Sequence, residues 1–224
     1  ADELESWAAQ LDEASEHIAA VRRPLARLPL GGTAVGNGLG AHPALAGRLA
    51  ATLDPGGALG IALEVPVSRL ARQAAHDALV AASGTLVVLA TALTKIANDL
   101  RWMGSGPATG LAEIALPELQ KGSSIMPGKV NPVVPEVVVQ VAAQVIGNHT
   151  AITVAGMQGN FELNVTVPVM ARNLLQSIGL LARACTSLGD DCIAGIEVDA
   201  ERCRALAARS PALATALNSV LGYD

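Results

Sequence analysis

Within residues 122–136 the sequence gathers two adjacent hydroxyls (Ser123 and Ser124), one ammonium (Lys129), one side-chain amide (Asn131) and one carboxylate (Glu136). They are set among glycines and prolines that let backbone amides approach a ligand. Such a loop suits a small anion. Lys129 supplies a compact positive charge, Asn131 an amide with two donors, and the serine hydroxyls can donate to or accept from a substrate oxygen. Removing a proton next to a carboxylate builds negative charge onto that carboxylate, and an ammonium and an amide held against it would stabilise the charge. A serine can be the base in that step only if neighbouring amides or charge stabilise its alkoxide. By residue type alone, a glycine- and proline-rich surface loop with an exposed lysine fits the same segment.

The elements that must position this loop read as helices. The chain has 224 residues, 51% of them hydrophobic, which is ample for a core and excludes disorder. Aromatic residues make up 2%, so Ala, Val and Leu carry the apolar weight, and these suit packed helices better than sheets. Residues 2–28 repeat apolar positions at three- and four-residue steps, an amphipathic helix that Pro24 should bend or interrupt. A glycine-dense connection over 31–40 and short helices over 42–65, parted by the Asp54-Pro55-Gly56-Gly57 turn, follow. Ser68 reads as the N-cap of one long helix over 69–103, stopped by Gly104, Gly106 and Pro107.

Residues 104–136 form the long exception, without helical periodicity, and structureless stretches of that length in compact proteins are functional or disordered. Residues 133–145 are dense in valine, but their length and the Ala142-Ala143 step favour a helix. The helices around 77–95, 137–160 and 165–181 are apolar nearly all round, with Arg172 the only formal charge in the last two. A chain of this size cannot wrap three such helices by itself, whereas a bundle shared between subunits can, so an obligate homo-oligomer is expected, with no membrane span. After residue 181 the chain turns more polar: a turn at Gly189-Asp190-Asp191, a helix capped by Asp199 and another after Ser210-Pro211 are predicted.

The net charge of −5 and the scattered basic residues argue against a nucleic-acid partner. Cys185, Cys192 and Cys203 are spaced like neither a disulfide framework nor a zinc site and read as free thiols of a reducing cytoplasm. His17, His42, His76 and His149 lack a metal-ligand companion at helical spacing, so no metal site is expected. Asp99 and Arg101 read as closing their helix, and Glu162 as half of an interhelical ion pair. No strand precedes the glycines at 31–40, which rejects a dinucleotide site. The opening Ala1-Asp2-Glu3-Leu4 has neither an initiator Met nor a signal pattern, which leads to the expectation that an N-terminal domain precedes it.

The string Gly122-Ser123-Ser124-Ile125-Met126-Pro127-Gly128-Lys129-Val130-Asn131-Pro132 resembles the signature of the fumarase/aspartase superfamily, in particular its class II fumarases. The likeness continues through Gly31-Gly32-Thr33-Ala34-Val35-Gly36, Lys95-Ile96-Ala97-Asn98-Asp99-Leu100-Arg101-Trp102, Ser105-Gly106-Pro107 and Gly159-Asn160-Phe161-Glu162-Leu163-Asn164. It implies an all-α long-helix bundle, tetrameric, with each active site assembled from three subunits and needing no cofactor. Residues 1–187 would be the central bundle domain with its loop, and 188–224 the start of a small C-terminal helical domain. Ser123 would abstract the C3 proton of malate, while Ser124, Lys129, the backbone of Val130, and Asn131 would hold the dicarboxylate. Glu136 would orient a histidine that handles the departing water, and the family keeps that histidine upstream of the part matched here. Asn37, Gly40 and Ala108 depart from the family pattern and bear on substrate identity. Aspartate ammonia-lyase is the alternative chemistry, and a fragment that only assembles the bundle is the non-catalytic one.

Overall fold

A computed structural model of the chain describes residues 2–55, 57–120, 122, 126, 129–217 and 222. It comprises two compact units, one of Ala1–Thr94 and Gln140–Arg183, the other of Lys95–Val139 and Ala184–Asp224. Helices dominate both, as the composition predicts, and the architecture is all-α.

In the first unit α1 (Asp2–Ala26) buries Trp7, Ala14 and Ala26. Pro24 falls in its last turn, where the lost N–H comes too late to break it. The end of α1 is tied to the segment around Glu64: Leu28 N donates to the Glu64 carbonyl at 3.0 Å and Glu64 N to the Ala26 carbonyl at 2.9 Å. Helix α2 (Leu45–Leu53) lies within the stretch predicted to be short helices.

The single helix expected over 69–103 is two, α3 (Arg69–Ala74) and α4 (Asp77–Met103). Ser68 does cap the first, its Oγ accepting from Ala71 N at 3.1 Å. Ala75 then turns extended, with φ −119° and ψ 136°. The cause lies outside the local pattern. Gln73 Nε2 donates to the Thr33 and Ala34 carbonyls at 3.0 and 2.7 Å, holding α3 against the glycine-rich connection. Gly36, at φ +81°, meets it so closely that a Cβ would run into the Leu70 backbone. Helix α4 restarts with Asp77 in its first turn, where a carboxylate meets the positive end of the helix dipole.

The valine-dense segment is helical, forming α5 (Val133–Gly156), and α6 follows (Val167–Ser187). A Cβ on Gly156 would come within 2.9 Å of Val80 Cγ2, so glycine lets α4 and α5 close up. His149 Nδ1 lies 3.0 Å from Ser83 Oγ across the same pair. Between α5 and α6, Asn148 is 3% exposed and Ser177 fully buried. Asn148 Nδ2 donates to Gln176 Oε1 at 3.1 Å and to Ser177 Oγ at 3.0 Å, and its Oδ1 accepts from Gln144 at 2.8 Å. The corner is closed by Thr166 Oγ1 and Asn164 Nδ2, both donating to the Ala155 carbonyl, at 2.6 and 3.2 Å. Glu162 has no ion-pair partner among the described residues, so the expected interhelical pair is not formed there. Helices α4 and α5 are long and apolar enough to cross a membrane by length and composition alone. Val88, Ile146 and Val154 leave them as exposed apolar positions.

In the second unit the last turns of α4 bury Ile96, Ala97 and Leu100. A two-residue antiparallel ladder joins β1 (Ile114–Ala115), within the stretch read as irregular, to β2 (Glu197–Val198). The turn expected at Gly189-Asp190-Asp191 is instead a π-helical turn over Leu188–Cys192, with Ser187 Oγ donating to Asp191 Oδ2 at 2.7 Å. Asp199 caps α7 (Ala200–Ala208) as predicted, accepting from Arg202 N at 2.8 Å.

Candidate functional site

The second unit contains a cleft of about 1140 Å³. One wall is the C-terminal end of α4, whose Asn98, Arg101 and Trp102 share a face at i, i+3 and i+4. Arg101 Nη1 donates to Asn98 Oδ1 at 3.1 Å, and the Lys95 ammonium lies 2.5 Å from Asp99 Oδ2 on the same helix. A second wall is the chain from Gly104 to Leu116, which folds back on itself. Ser105 Oγ donates to the Trp102 carbonyl at 2.5 Å and accepts from Leu111 N at 3.1 Å. Ala112 N donates to the Ser105 carbonyl at 2.7 Å and Glu113 N to the Met103 carbonyl at 2.9 Å.

The signature segment supplies the third wall. Lys129, Val130 and Asn131 line the cleft, and Glu136 lines it from the first turn of α5. Asn131 is placed by its own carbonyl, which accepts from Val133 N at 2.8 Å as the helix begins. Four of the residues singled out in the sequence, Lys129, Val130, Asn131 and Glu136, therefore meet in one cleft. Ser123 and Ser124 lie outside the described residues. At Gly122 the chain passes so near Lys129 that a Cβ would collide with the Lys129 carbonyl oxygen, which explains a glycine at the entry to the segment.

The cleft sets two cations, Arg101 and Lys129, with the acids Glu136, Glu197 and Asp199. Asp199 is engaged as a helix cap. Lys129 has no ion-pair partner among the described residues and is exposed, which leaves its charge available to a ligand. Asn131 adds amide donors beside it. Such a pair can hold a carboxylate and stabilise charge building on it. Burial pushes the Cys185 and Cys192 thiols up and so keeps them protonated, which makes neither a rival nucleophile. Sequence reasoning assigned Arg101 to closing its helix and passed over Trp102 and β2. The helical spacing of Asn98, Arg101 and Trp102 just before the loop was the available signal for the first two; for Glu197 there was none.

A family model described as Lyase matches residues 1–147, more than half of the chain. The chain belongs to this lyase family. It is 51% identical over 222 residues to the class II fumarate hydratase of Mycobacterium tuberculosis, a match that takes in 99% of this chain and 47% of that protein. It is 50% identical over 224 residues to that of Xylella fastidiosa, covering 100% and 47%. Among solved structures, the recombinant class II fumarase from Schistosoma mansoni superposes with a TM-score of 0.95 at 34% identity, covering all of this chain and 49% of that one. This lyase chain thus spans about half the length of the curated relatives it matches. The all-α framework is the part of the family fold that its described residues place.

Proposed function

We propose that this chain carries the proton-abstracting part of a site that interconverts L-malate and fumarate by reversible anti-elimination of water, a step of the tricarboxylic acid cycle, in the cytoplasm. The observation that supports it is the meeting of Lys129 and Asn131 in one cleft, within a chain half identical to class II fumarate hydratases. Ser123 takes the C3 proton, and the electron pair left behind spreads onto the adjacent carboxylate. Lys129, Asn131, the Val130 backbone and Ser124 hold that carboxylate, so the site binds the charged intermediate better than malate itself. The C2 hydroxyl then leaves with a proton as water. Glu136 acts through the histidine of the family pattern.

The working form is a homotetramer. Apolar residues exposed along α4, α5 and α6, among them Val88, Ile146 and Leu175, support a bundle shared between subunits. We read the two long apolar helices as faces of that bundle. The test is absorbance of fumarate formed from malate or from aspartate. Malate turnover that Ser123→Ala lowers by about a hundredfold or more is expected. Turnover of aspartate alone would reassign the chain to ammonia elimination, turnover of neither would leave a bundle without chemistry, and an unchanged Ser123→Ala rate would remove the serine from its role.

A further inference from the structure

We propose that Arg202, on α7, is a positioning residue: its guanidinium holds the 104–116 wall of the cleft in the shape that accepts a dicarboxylate. The inference rests on the reading of that cleft as the malate site. Arg202 is half-buried and reaches across 91 and 92 residues of sequence to two successive backbone carbonyls. Its Nε donates to the Leu111 carbonyl at 2.9 Å and its Nη2 to the Gly110 carbonyl at 3.1 Å. Both acceptors lie where the loop has doubled back, outside the helices and the ladder, so no regular partner serves them. A rigid planar fork with donors on adjacent nitrogens matches two adjacent carbonyls, and a lysine ammonium cannot fix both directions at once.

The contact is not isolated. The same end of α7 grips the next residues of the loop: Asp199 N donates to the Glu113 carbonyl at 2.9 Å, and Cys203 Sγ lies 3.7 Å from that oxygen. Asp199 in turn accepts from Arg202 N, so cap and clamp form one device. The stretch it holds is functional surface, because Gly104, Ser105, Pro107, Ala112 and Ile114 line the cleft. Gly110 also packs so tightly on the Ser105 carbonyl that a Cβ would collide with it, so the doubled-back loop has little room to take another shape. Freeing the wall should therefore misplace the cleft lining without dismantling the helices.

The test compares wild type, Arg202→Lys and Arg202→Ala in the full chain by amide hydrogen exchange and by malate kinetics. Exchange over 104–116 should speed up in Arg202→Ala, with Arg202→Lys in between, while α4 and α5 keep their protection. KM for malate should rise about tenfold with kcat changed less than about twofold. A purely structural role would lower the active fraction, and so kcat, with KM unchanged; that result, or unaltered exchange over 104–116, overturns the proposal. Should wild type not turn over malate, the malate reading fails, and the exchange arm still decides whether Arg202 holds the wall. If Arg202→Ala does not fold, Arg202→Lys against wild type carries the same two readouts.

Discussion

At the α5–α6 seam the side chains around the buried Asn148 and Ser177 answer one another, whereas Ser105 and Arg202 at the 104–116 loop answer the backbone. At the seam Gln144, Asn148, Gln176 and Ser177 bond side chain to side chain. In the loop Ser105 and Arg202 spend their hydrogen bonds on carbonyls and amides. The difference follows from what the backbone needs. A helix pairs its own N–H and C=O groups and leaves buried side chains free to fix how two helices register. An irregular loop has no such ladder, so side chains must complete it. Polar substitutions at the seam should thus cost stability, and those at the loop should cost the shape and chemistry of the cleft.

The largest separation of these two effects is expected at Lys129. Lys129→Met keeps the stem and removes the ammonium that lines the cleft. Loss of one group stabilising developing charge costs about a hundred- to a thousandfold in turnover. Malate turnover should fall by that order while the melting temperature stays within error of wild type. A fall in both would place Lys129 on the structural side of the comparison.

Asn148→Leu should do the reverse. It strips the seam of its central residue and leaves Gln176 and the buried Ser177 without that partner, for a loss of about 2 kcal/mol in unfolding free energy. Chemical denaturation measures it. Adding Ser177→Ala should recover part of the loss, because removing both partners of a buried hydrogen bond costs less than orphaning one. Additive losses in the double variant would show that the two residues do not act as a unit.

The same contrast explains what could be read in the sequence. Helix α1 follows from apolar periodicity, α4, α5 and α6 from long apolar runs, and the caps Ser68 and Asp199 from residue type, because all of these are local. Lys129 and Asn131 stood out because glycines and prolines around them point to a backbone built for close approach. The break between α3 and α4 was not legible, since Gln73 reaches residues 39 and 40 positions away and nothing near Ala75 signals it. The β1–β2 ladder is two residues long on each side, too short for any alternation to show. Nothing near Arg202 in sequence signals its clamp, whose partners lie 91 and 92 residues away.

The smallest effect is expected from an ion pair that belongs to neither class. Glu64, partly exposed, accepts from Arg27 Nε at 3.1 Å and lies 3.5 Å from Arg23 Nε. The hydrogen bond from Arg27 is the main cause holding the Glu64 carboxyl below its ordinary 4.5, with Arg23 adding to it against a desolvation effect of opposite sign. Because the folded pKa is the lower one, the ionised pair stabilises the fold above the unfolded value, and that contribution is lost as pH falls through the folded value. The melting temperatures of wild type and Glu64→Gln should therefore differ slightly at neutral pH and converge as the pH falls below 4.5 and through the lower folded value. High salt should shrink the neutral-pH difference, since exposed charges are screened. A gap that persists at low pH would mean that the Glu64 side chain stabilises the end of α1 by something other than its charge, since Glu64→Gln leaves the backbone bonds to Ala26 and Leu28 in place.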